Sequence, residues 1–232
     1  IFAGSQLVIV GHYNEGGAAT IELKGKIDGK ETTYVYEGQS FASSVTSSTE
    51  SLPRLWATRK IGYLMNQIRL QGEQKELTEA IIDLSIRYGI VTPYTSYLIT
   101  EDDILTQTGR EEAAQIAHDS AVAAPAAVSG GAAVDAAATS ASMAEAEAAA
   151  PVVFAEEGVE LRAIGERAFL YKDDVWTETT FDPETMVPVQ VAFASDAYFE
   201  LLAEHPDLAV AFALGDHVIA VSDGVAYEVT VS

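Results

Sequence analysis

The sequence predicts an α+β fold in which an antiparallel sheet and a helical hairpin precede a separate small α+β module. Three observations support this prediction. Residues 1–50 contain the two-residue alternation of apolar and polar side chains that is typical of half-buried strands. Residues 52–89 have the three- and four-residue apolar spacing of amphipathic helices. Residues 151–232 return to short alternating runs that flank one helical run, which is the pattern of a compact α+β module.

The first strands are predicted from apolar runs and turn residues. Residues 19–27 alternate strictly, and Asp28-Gly29 is a hairpin turn signal because glycine tolerates a positive φ. Residues 32–36 form the return strand, which Phe41 extends. Two or three strands alone are marginal in water, so we expect residues 1–50 not to fold as an independent domain.

Two helices follow, over residues 52–72 and 75–88. Pro53 suits the first turn of the first helix, and Gly72 and Gly89 are placed as stop signals. The short connection predicts an antiparallel helical hairpin. Its expected core residues are Leu55, Trp56, Leu64, Ile68, Ile81 and Leu84.

The middle of the chain carries the weakest patterns. Residues 90–99 are predicted to be extended, and residues 101–118 form a polar, weakly helical stretch. Residues 120–150 consist almost entirely of Ala, Ser, Gly, Val and acidic residues, which predicts a mobile linker because such side chains bury little surface. The predicted organisation is therefore a first part at 1–100, a linker at 101–150 and a C-terminal module at 151–232.

The C-terminal module is predicted to hold five or so strands and one or two short helices. Lys172-Asp173-Asp174 and Asp223-Gly224 mark hairpin turns. Ser195 is a predicted N-cap for a helix that continues through Ala203, and His205-Pro206-Asp207 is expected to end it.

Charge and composition exclude several classes of function. The 232 residues carry 13 basic and 35 acidic side chains, a formal net charge of −22. This balance opposes binding to nucleic acid and to anionic membranes. The chain has no cysteine, so disulfides and thiolate chemistry are excluded, and no apolar run reaches the 18 residues of a membrane span. The opening at Ile1, without methionine or a basic leader, suggests a piece of a longer polypeptide.

The residues that could carry chemistry lack the spacing that chemistry needs. His12, His118, His205 and His217 have no partner at metal-ligand spacing and no nucleophile-elbow serine beside them. The acidic runs Glu101-Asp102-Asp103 and Asp173-Asp174 lack the alternating oxygen ligands of an EF-hand loop. Trp56, Tyr63, Trp176 and Tyr198 are interpreted as core or interface aromatics. We therefore predict no catalytic, cofactor-binding or metal-binding residue, and no cofactor.

Three stretches resemble one family. Residues 1–8 (IFAGSQLV), 55–64 (LWATRKIGYL) and 88–96 (YGIVTPYTS) are similar, in order and spacing, to bacterial relatives of the inter-α-trypsin inhibitor heavy chains, in the region after the von Willebrand A domain. Residues 164–231 resemble a C-terminal module of some bacterial members. Phe181-Asp182-Pro183-Glu184 resembles the cleavage site of the animal heavy chains, but Glu184-Thr185 departs from that motif, so an ordinary Asp-Pro turn is expected.

The resemblance implies a VIT domain, a von Willebrand A domain and an integrin-like hybrid β domain. The metal-dependent adhesion motif of that family lies in the A domain, and no such motif stands in these residues. The expected function is a non-catalytic structural or adhesion segment of a secreted or cell-surface bacterial protein, with the upstream domains and other surface proteins as partners. The alternative is a processed accessory subunit that docks onto a larger, membrane-associated complex. An enzyme domain in 151–232 is the third and least favoured hypothesis.

Overall fold

The computed structural model describes residues 7–42, 51–95, 104–123, 130–148, 153–156 and 159–231. It confirms the predicted α+β class, with helices and strands both abundant. The chain divides into two compact units, Ile1–Glu50 and Ser51–Ser232. No helix in the described part of the chain is long and apolar enough to cross a membrane.

The first unit is a two-stranded antiparallel hairpin. Strand β1 spans Gly17–Ile27 and β2 spans Lys30–Phe41, joined by the predicted Asp28-Gly29 turn. Both turn residues have positive φ, 49° and 78°, which matches the twist of a two-residue hairpin connection.

The second unit begins with the predicted helical hairpin, α1 (Leu52–Gln71) and α2 (Lys75–Tyr88). Gly89 ends α2 in the left-handed conformation that glycine adopts without strain. Of the predicted core, Leu55, Leu64, Ile68 and Ile81 are buried, whereas Trp56 and Leu84 are half-buried at the margin of the cluster. Of the segment predicted to be extended, only residues 90–95 are described, and residues 93–95 form a turn.

Helix α3 (Gln107–Ala123) packs against α2 and is held by one arginine. The Arg110 guanidinium donates to the carbonyls of Ile104 (3.2 Å), Leu105 (3.0 Å) and Thr179 (3.2 Å). Burial lowers the pKa of Arg110, and Asp83, 3.9 Å from it, opposes that shift. Arg110 thus links the helical layer to the end of a strand in the C-terminal sheet.

Helix α4 (Gly131–Ala144) lies where the sequence predicted a mobile linker. It packs against α1. Arg59 of α1 holds the chain just after the end of α4, because its Nε donates a hydrogen bond to the Ala146 carbonyl at 2.7 Å. The contact is close because Gly62 has no side chain: a Cβ there would lie 2.3 Å from the Ala144 backbone nitrogen. Alanine favours helix, and a groove lined by glycine gives small side chains a surface to pack on.

Replacing Gly62 with alanine should therefore release α4 from α1. The added methyl meets backbone rather than a mobile side chain, so it cannot be accommodated in place, although alanine itself favours α1 by about 1 kcal/mol. We expect amide exchange in residues 131–144 to accelerate by about tenfold or more. Gly131→Ala is the control, since its Cβ would meet nothing within 4 Å. Unchanged exchange in Gly62→Ala would contradict this packing.

The rest of the unit is one seven-stranded mixed sheet in the order β3-β4-β5-β6-β8-β9-β7. Its strands are β3 (Val153–Glu156), β4 (Val159–Ile164), β5 (Arg167–Lys172), β6 (Val175–Glu178), β7 (Val189–Ala192), β8 (Val218–Ser222) and β9 (Val225–Thr230). Two pairs are parallel, β6 with β8 and β7 with β9, and the others are antiparallel. Two short helices follow β7, α5 (Asp196–Glu204) and α6 (Leu208–Phe212).

One face of the sheet packs on α5 and α6. The sheet contributes Phe169, Trp176, Val191, Val218 and Val229, and the helices contribute Leu201, Leu208, Ala211 and Phe212. Ser195 caps α5 as predicted, accepting a hydrogen bond from the Tyr198 backbone N–H at 3.2 Å. His205 ends the helix, also as predicted.

The opposite face of β4 and β5 packs on the helices of the N-terminal half. Leu161 and Leu170 lie opposite each other in register and are buried against Ile82, Ile86 and Ala114. This packing joins the helical hairpin to the sheet within one unit, Ser51–Ser232, whereas the sequence pattern predicts parts that meet at residues 100 and 151. The physical reason is that β5 carries buried apolar side chains on both faces, Phe169 on one and Leu170 on the other, and α5 and α6 cover only the face of Phe169.

Candidate functional site

The β1–β2 hairpin has one apolar and one polar face. Side chains of directly paired residues lie on the same side of a sheet, and the register pairs Ile21 with Tyr36 and Leu23 with Tyr34. With Ile27 these residues form what we call the apolar hairpin face (Ile21, Leu23, Ile27, Tyr34 and Tyr36). The other side carries Glu22, Lys24, Thr33, Lys26 and Glu31, with Val35 among them.

Most side chains of the apolar hairpin face are exposed to solvent. Ile21, Ile27, Tyr34 and Tyr36 each remain between 41% and 50% exposed. Two isolated strands are marginally stable in water, and a contiguous exposed apolar patch marks a surface that binds something. The hairpin is therefore the candidate interaction surface of this chain.

A second candidate site is a buried ionic network in the C-terminal sheet. The Arg167 guanidinium, on β5, contacts Glu178 at the end of β6 (Nη1 to Oε2, 3.0 Å) and Asp207 just before α6. The Arg167 and Glu178 side chains are only 15% and 5% exposed. Arg167 therefore ties the α5–α6 connection to two strands.

Glu178 is the most enclosed carboxylate of this network. Its Oε2 accepts from the Val221 backbone N–H at 2.8 Å, and its Oε1 accepts from the Thr180 hydroxyl at 2.9 Å. Burial raises the pKa of Glu178, and this effect outweighs the opposing attraction of Arg167 and the hydrogen bonds. The desolvation penalty thus exceeds the gain from the ion pair, as is common for buried salt bridges.

A chain of hydrogen bonds extends the network to His205. The Ser222 hydroxyl donates to Asp207 Oδ1 at 3.1 Å, so its oxygen is available to accept from His205 Nδ1, 3.1 Å away. Nε2 then accepts from the Tyr227 hydroxyl at 3.3 Å. In a nucleophilic triad the imidazole lies between the serine and the carboxylate, whereas here the serine lies between the other two. This arrangement orients β8, β9 and the α5–α6 connection.

The other residues considered as metal ligands or catalytic groups lie apart from one another. His12 is exposed, His118 lies half-buried on α3, and His217 Nε2 lies 2.9 Å from Glu228 Oε1. No group of three His, Cys, Asp or Glu side chains within the described ranges could hold a metal ion. Glu101-Asp102-Asp103 lies outside the described residues.

Carboxylates in the acidic turns accept hydrogen bonds from neighbouring residues. Asp173 and Asp174 form the β5–β6 turn with positive φ, and the Tyr171 hydroxyl donates to Asp174 Oδ1 at 2.9 Å. Asp182 accepts from the Glu184 backbone N–H at 2.9 Å and from the Thr185 hydroxyl at 3.0 Å. These bonds are those of the Asp-Pro turn that the sequence analysis expected.

The predicted aromatic residues divide between core and surface. Trp176 is buried, with the Arg162 guanidinium 4.7 Å from its ring and the Tyr171 ring 4.9 Å away. Tyr198 packs on the core through Phe212, and Trp56 meets the Tyr88 ring edge-on at 6.4 Å. Tyr63 is exposed, with Lys60 over its ring.

Sequence reasoning missed the ionic network. One feature of the sequence could have indicated it. Glu178 is two residues from Trp176 on β6, so the alternation of the strand places its carboxylate on the same buried face as Trp176. A carboxylate there needs a cation, but nothing in the local sequence identifies Arg167 or Asp207 as its neighbours.

Comparison with known proteins gives two partial relatives. The chain is 29% identical over 112 residues to inter-alpha-trypsin inhibitor heavy chain H4 of Bos taurus, and 28% identical over 113 residues to the human protein of that name. Each match covers 44% of this chain and 12% of the relative, so the chain spans a small part of either protein's length. No family model and no solved structure matches the chain.

Proposed function

We propose that this chain is a non-catalytic structural segment of a secreted or cell-surface bacterial protein, and that it supports an upstream, metal-dependent von Willebrand A domain. The observation that carries the proposal is the solvent exposure of the apolar hairpin face. The similarity to inter-alpha-trypsin inhibitor heavy chain H4 supports it, as does the resemblance of residues 1–8, 55–64 and 88–96 to chain that follows an A domain.

The hairpin has the composition of an incomplete sheet. Roughly half of each of the Ile21, Ile27, Tyr34 and Tyr36 side chains still contacts solvent. Burying the remainder of these four side chains would contribute about 3–6 kcal/mol, which is enough to turn a marginal hairpin into a stable element. We assign this cover to strands of the upstream VIT and A domains of the same polypeptide, so that the hairpin completes a hybrid-type sheet.

The second unit has a packed interior of its own. The helical hairpin, α3 and the seven-stranded sheet share one packed interior. The buried ion pair of Arg167 and Glu178 links strands β5 and β6 of that sheet. A segment of this kind transmits position and force and needs no catalytic group.

Amide hydrogen exchange tests the proposal. In the 232-residue chain alone, residues 17–41 should exchange rapidly, because two strands without cover open readily. In the longer polypeptide that includes the upstream domains, the same amides should slow by about a hundredfold or more. Ile21→Ser should abolish that slowing, whereas Val35→Ser, a similar change from a β-branched aliphatic side chain on the polar face, should leave it intact.

The outcomes separate the hypotheses. Slow exchange that arises only after a different protein is added would replace the proposal with the alternative, an accessory subunit of a larger complex. Equally fast exchange of residues 17–41 in both polypeptides would refute the proposal.

A further inference from the structure

Strand β7 is an edge of the seven-stranded sheet with backbone groups free for pairing. It pairs with β9 on one side, where the Phe193 N–H donates to the Thr230 carbonyl at 2.8 Å. The backbone N–H and C=O groups of successive residues in a strand point alternately to its two edges. Those of Val189 and Val191 therefore also point toward β9, and those of Gln190 and Ala192 point away from it. The Ala192 carbonyl is occupied by Ser195. The N–H and C=O of Gln190 and the N–H of Ala192 thus point to an edge that no described strand occupies.

An exposed apolar surface borders this edge. We call it the β7 patch: Val187, Val189, Phe193 and Phe199. Val187 is 89% and Phe199 is 60% exposed. The rings of Phe193 and Phe199 each lie 5.3 Å from Tyr198, whose ring packs on buried Phe212 at 5.8 Å. The patch is therefore anchored to the core and preformed.

The segment of the chain that contains the patch carries charge of one sign. Residues 173–232 contain twelve acidic residues and no lysine or arginine. Asp196 and Glu200 are exposed on α5, one turn apart, on the same side of the helix as Phe199. A second copy of this chain would bring like charges together at the edge, which opposes self-pairing. The complementary occupant is cationic.

We propose that β7 accepts an extended, lysine- or arginine-containing segment of a different protein as an eighth strand. The segment pairs its backbone with Gln190 and Ala192. Its side chains on one side of the strand include both the apolar groups that contact the β7 patch and the cations that face Asp196 and Glu200. Strand addition of this kind takes affinity from backbone hydrogen bonds and specificity from alternate side chains. The inference is independent of the proposed function, because it concerns the opposite end of the chain.

A synthetic peptide tests the proposal on the intact chain. The probe is a blocked seven-residue peptide, Lys-Thr-Val-Thr-Val-Thr-Lys, whose lysines and valines all lie on one side of an extended strand. It is titrated by calorimetry at about 0.15 M salt, where exposed charges are screened beyond about 8 Å. We expect saturable binding at one site, with slower exchange of the Gln190 and Ala192 amides. A peptide with proline at its central position has the same charge but lacks the central N–H, and it should bind about tenfold more weakly or worse.

Charge reversal provides the matched variants. Asp196→Lys with Glu200→Lys should weaken binding by about tenfold or more. Glu112→Lys with Glu166→Lys makes the same change in net charge at exposed sites on α3 and in the β4–β5 turn, and it should leave binding within about twofold. Phe199→Ser removes an exposed ring without disturbing the core, and it should also weaken binding.

Three results would overturn the proposal. Equal weakening in both charge-reversed variants would show attraction to diffuse charge only. Equal binding of the proline-containing peptide would exclude strand addition. Saturable binding with no change at the Gln190 and Ala192 amides would place the peptide elsewhere. None of these readouts involves residues 17–41, so failure here is distinguishable from failure of the proposed function.

Discussion

Replacing Phe169 with alanine should lower the free energy of unfolding of residues 51–232 by about 3–5 kcal/mol. The side chain is 0% exposed and lies at the centre of the cluster formed by β5, β6, β8, β9, α5 and α6. Its removal forfeits the transfer free energy of a ring and leaves a cavity that the surrounding strands cannot close, since the sheet is hydrogen-bonded on both sides of β5.

Urea denaturation followed by circular dichroism measures this effect. Phe199→Ala is the matched control: it makes the same chemical change on a ring that is 60% exposed, and it should cost less than about 1 kcal/mol. Similar midpoints for the two variants would show that Phe169 is not in a packed interior.

Replacing Glu178 with alanine should destabilise the chain at neutral pH by about 3–5 kcal/mol. The substitution leaves the largely buried Arg167 with one carboxylate fewer, and it leaves the Val221 N–H without its acceptor. Glu178→Gln keeps an acceptor for that N–H and should cost much less. Glu160→Ala is the control, since Glu160 and its partner Arg162 are more exposed and such pairs contribute about 0–1 kcal/mol.

The pH dependence of stability tests the cause. Because burial raises the pKa of Glu178, the folded chain binds that proton more tightly than the unfolded chain does. The corresponding stability is complete below the ordinary glutamate pKa of about 4.3, and it is lost as pH rises through the raised value. The wild-type chain should therefore lose stability relative to Glu178→Gln as pH increases from about 4 to 7. A difference that grows in favour of the wild type would show that Arg167 rather than burial dominates, and a difference that is constant with pH would show that the two effects balance.

Phe169 and Glu178 stabilise the same sheet in different ways. Phe169 packs between the sheet and helices α5 and α6, whereas Glu178 makes an ion pair and hydrogen bonds at the end of β6. The β7 patch lies outside both, so its occupant can be tested without unfolding the chain.

Local elements were largely determined by the sequence alone. The hairpin turn at Asp28-Gly29 and the end of α2 at Gly89 need a positive φ, which aspartate and glycine tolerate, so these positions follow from single residues. Helices α1 and α2 follow from apolar spacing, and the start of α5 follows from Ser195. In each case the physical cause acts over a few neighbouring residues.

Only the tertiary structure decided which of these elements pack together. The alanine-rich run 131–144 has helix propensity but too little apolar surface to order itself, so its place depends on the close approach that Gly62 permits on α1. Leu161 and Leu170 join the sheet to α2 and α3, and Arg167, Glu178 and Asp207 meet from three separate elements. The position of β7 beside β9, at the edge of the sheet, is equally non-local. These contacts depend on distance in space between residues far apart in sequence, and local propensity and periodicity carry no information about such distances.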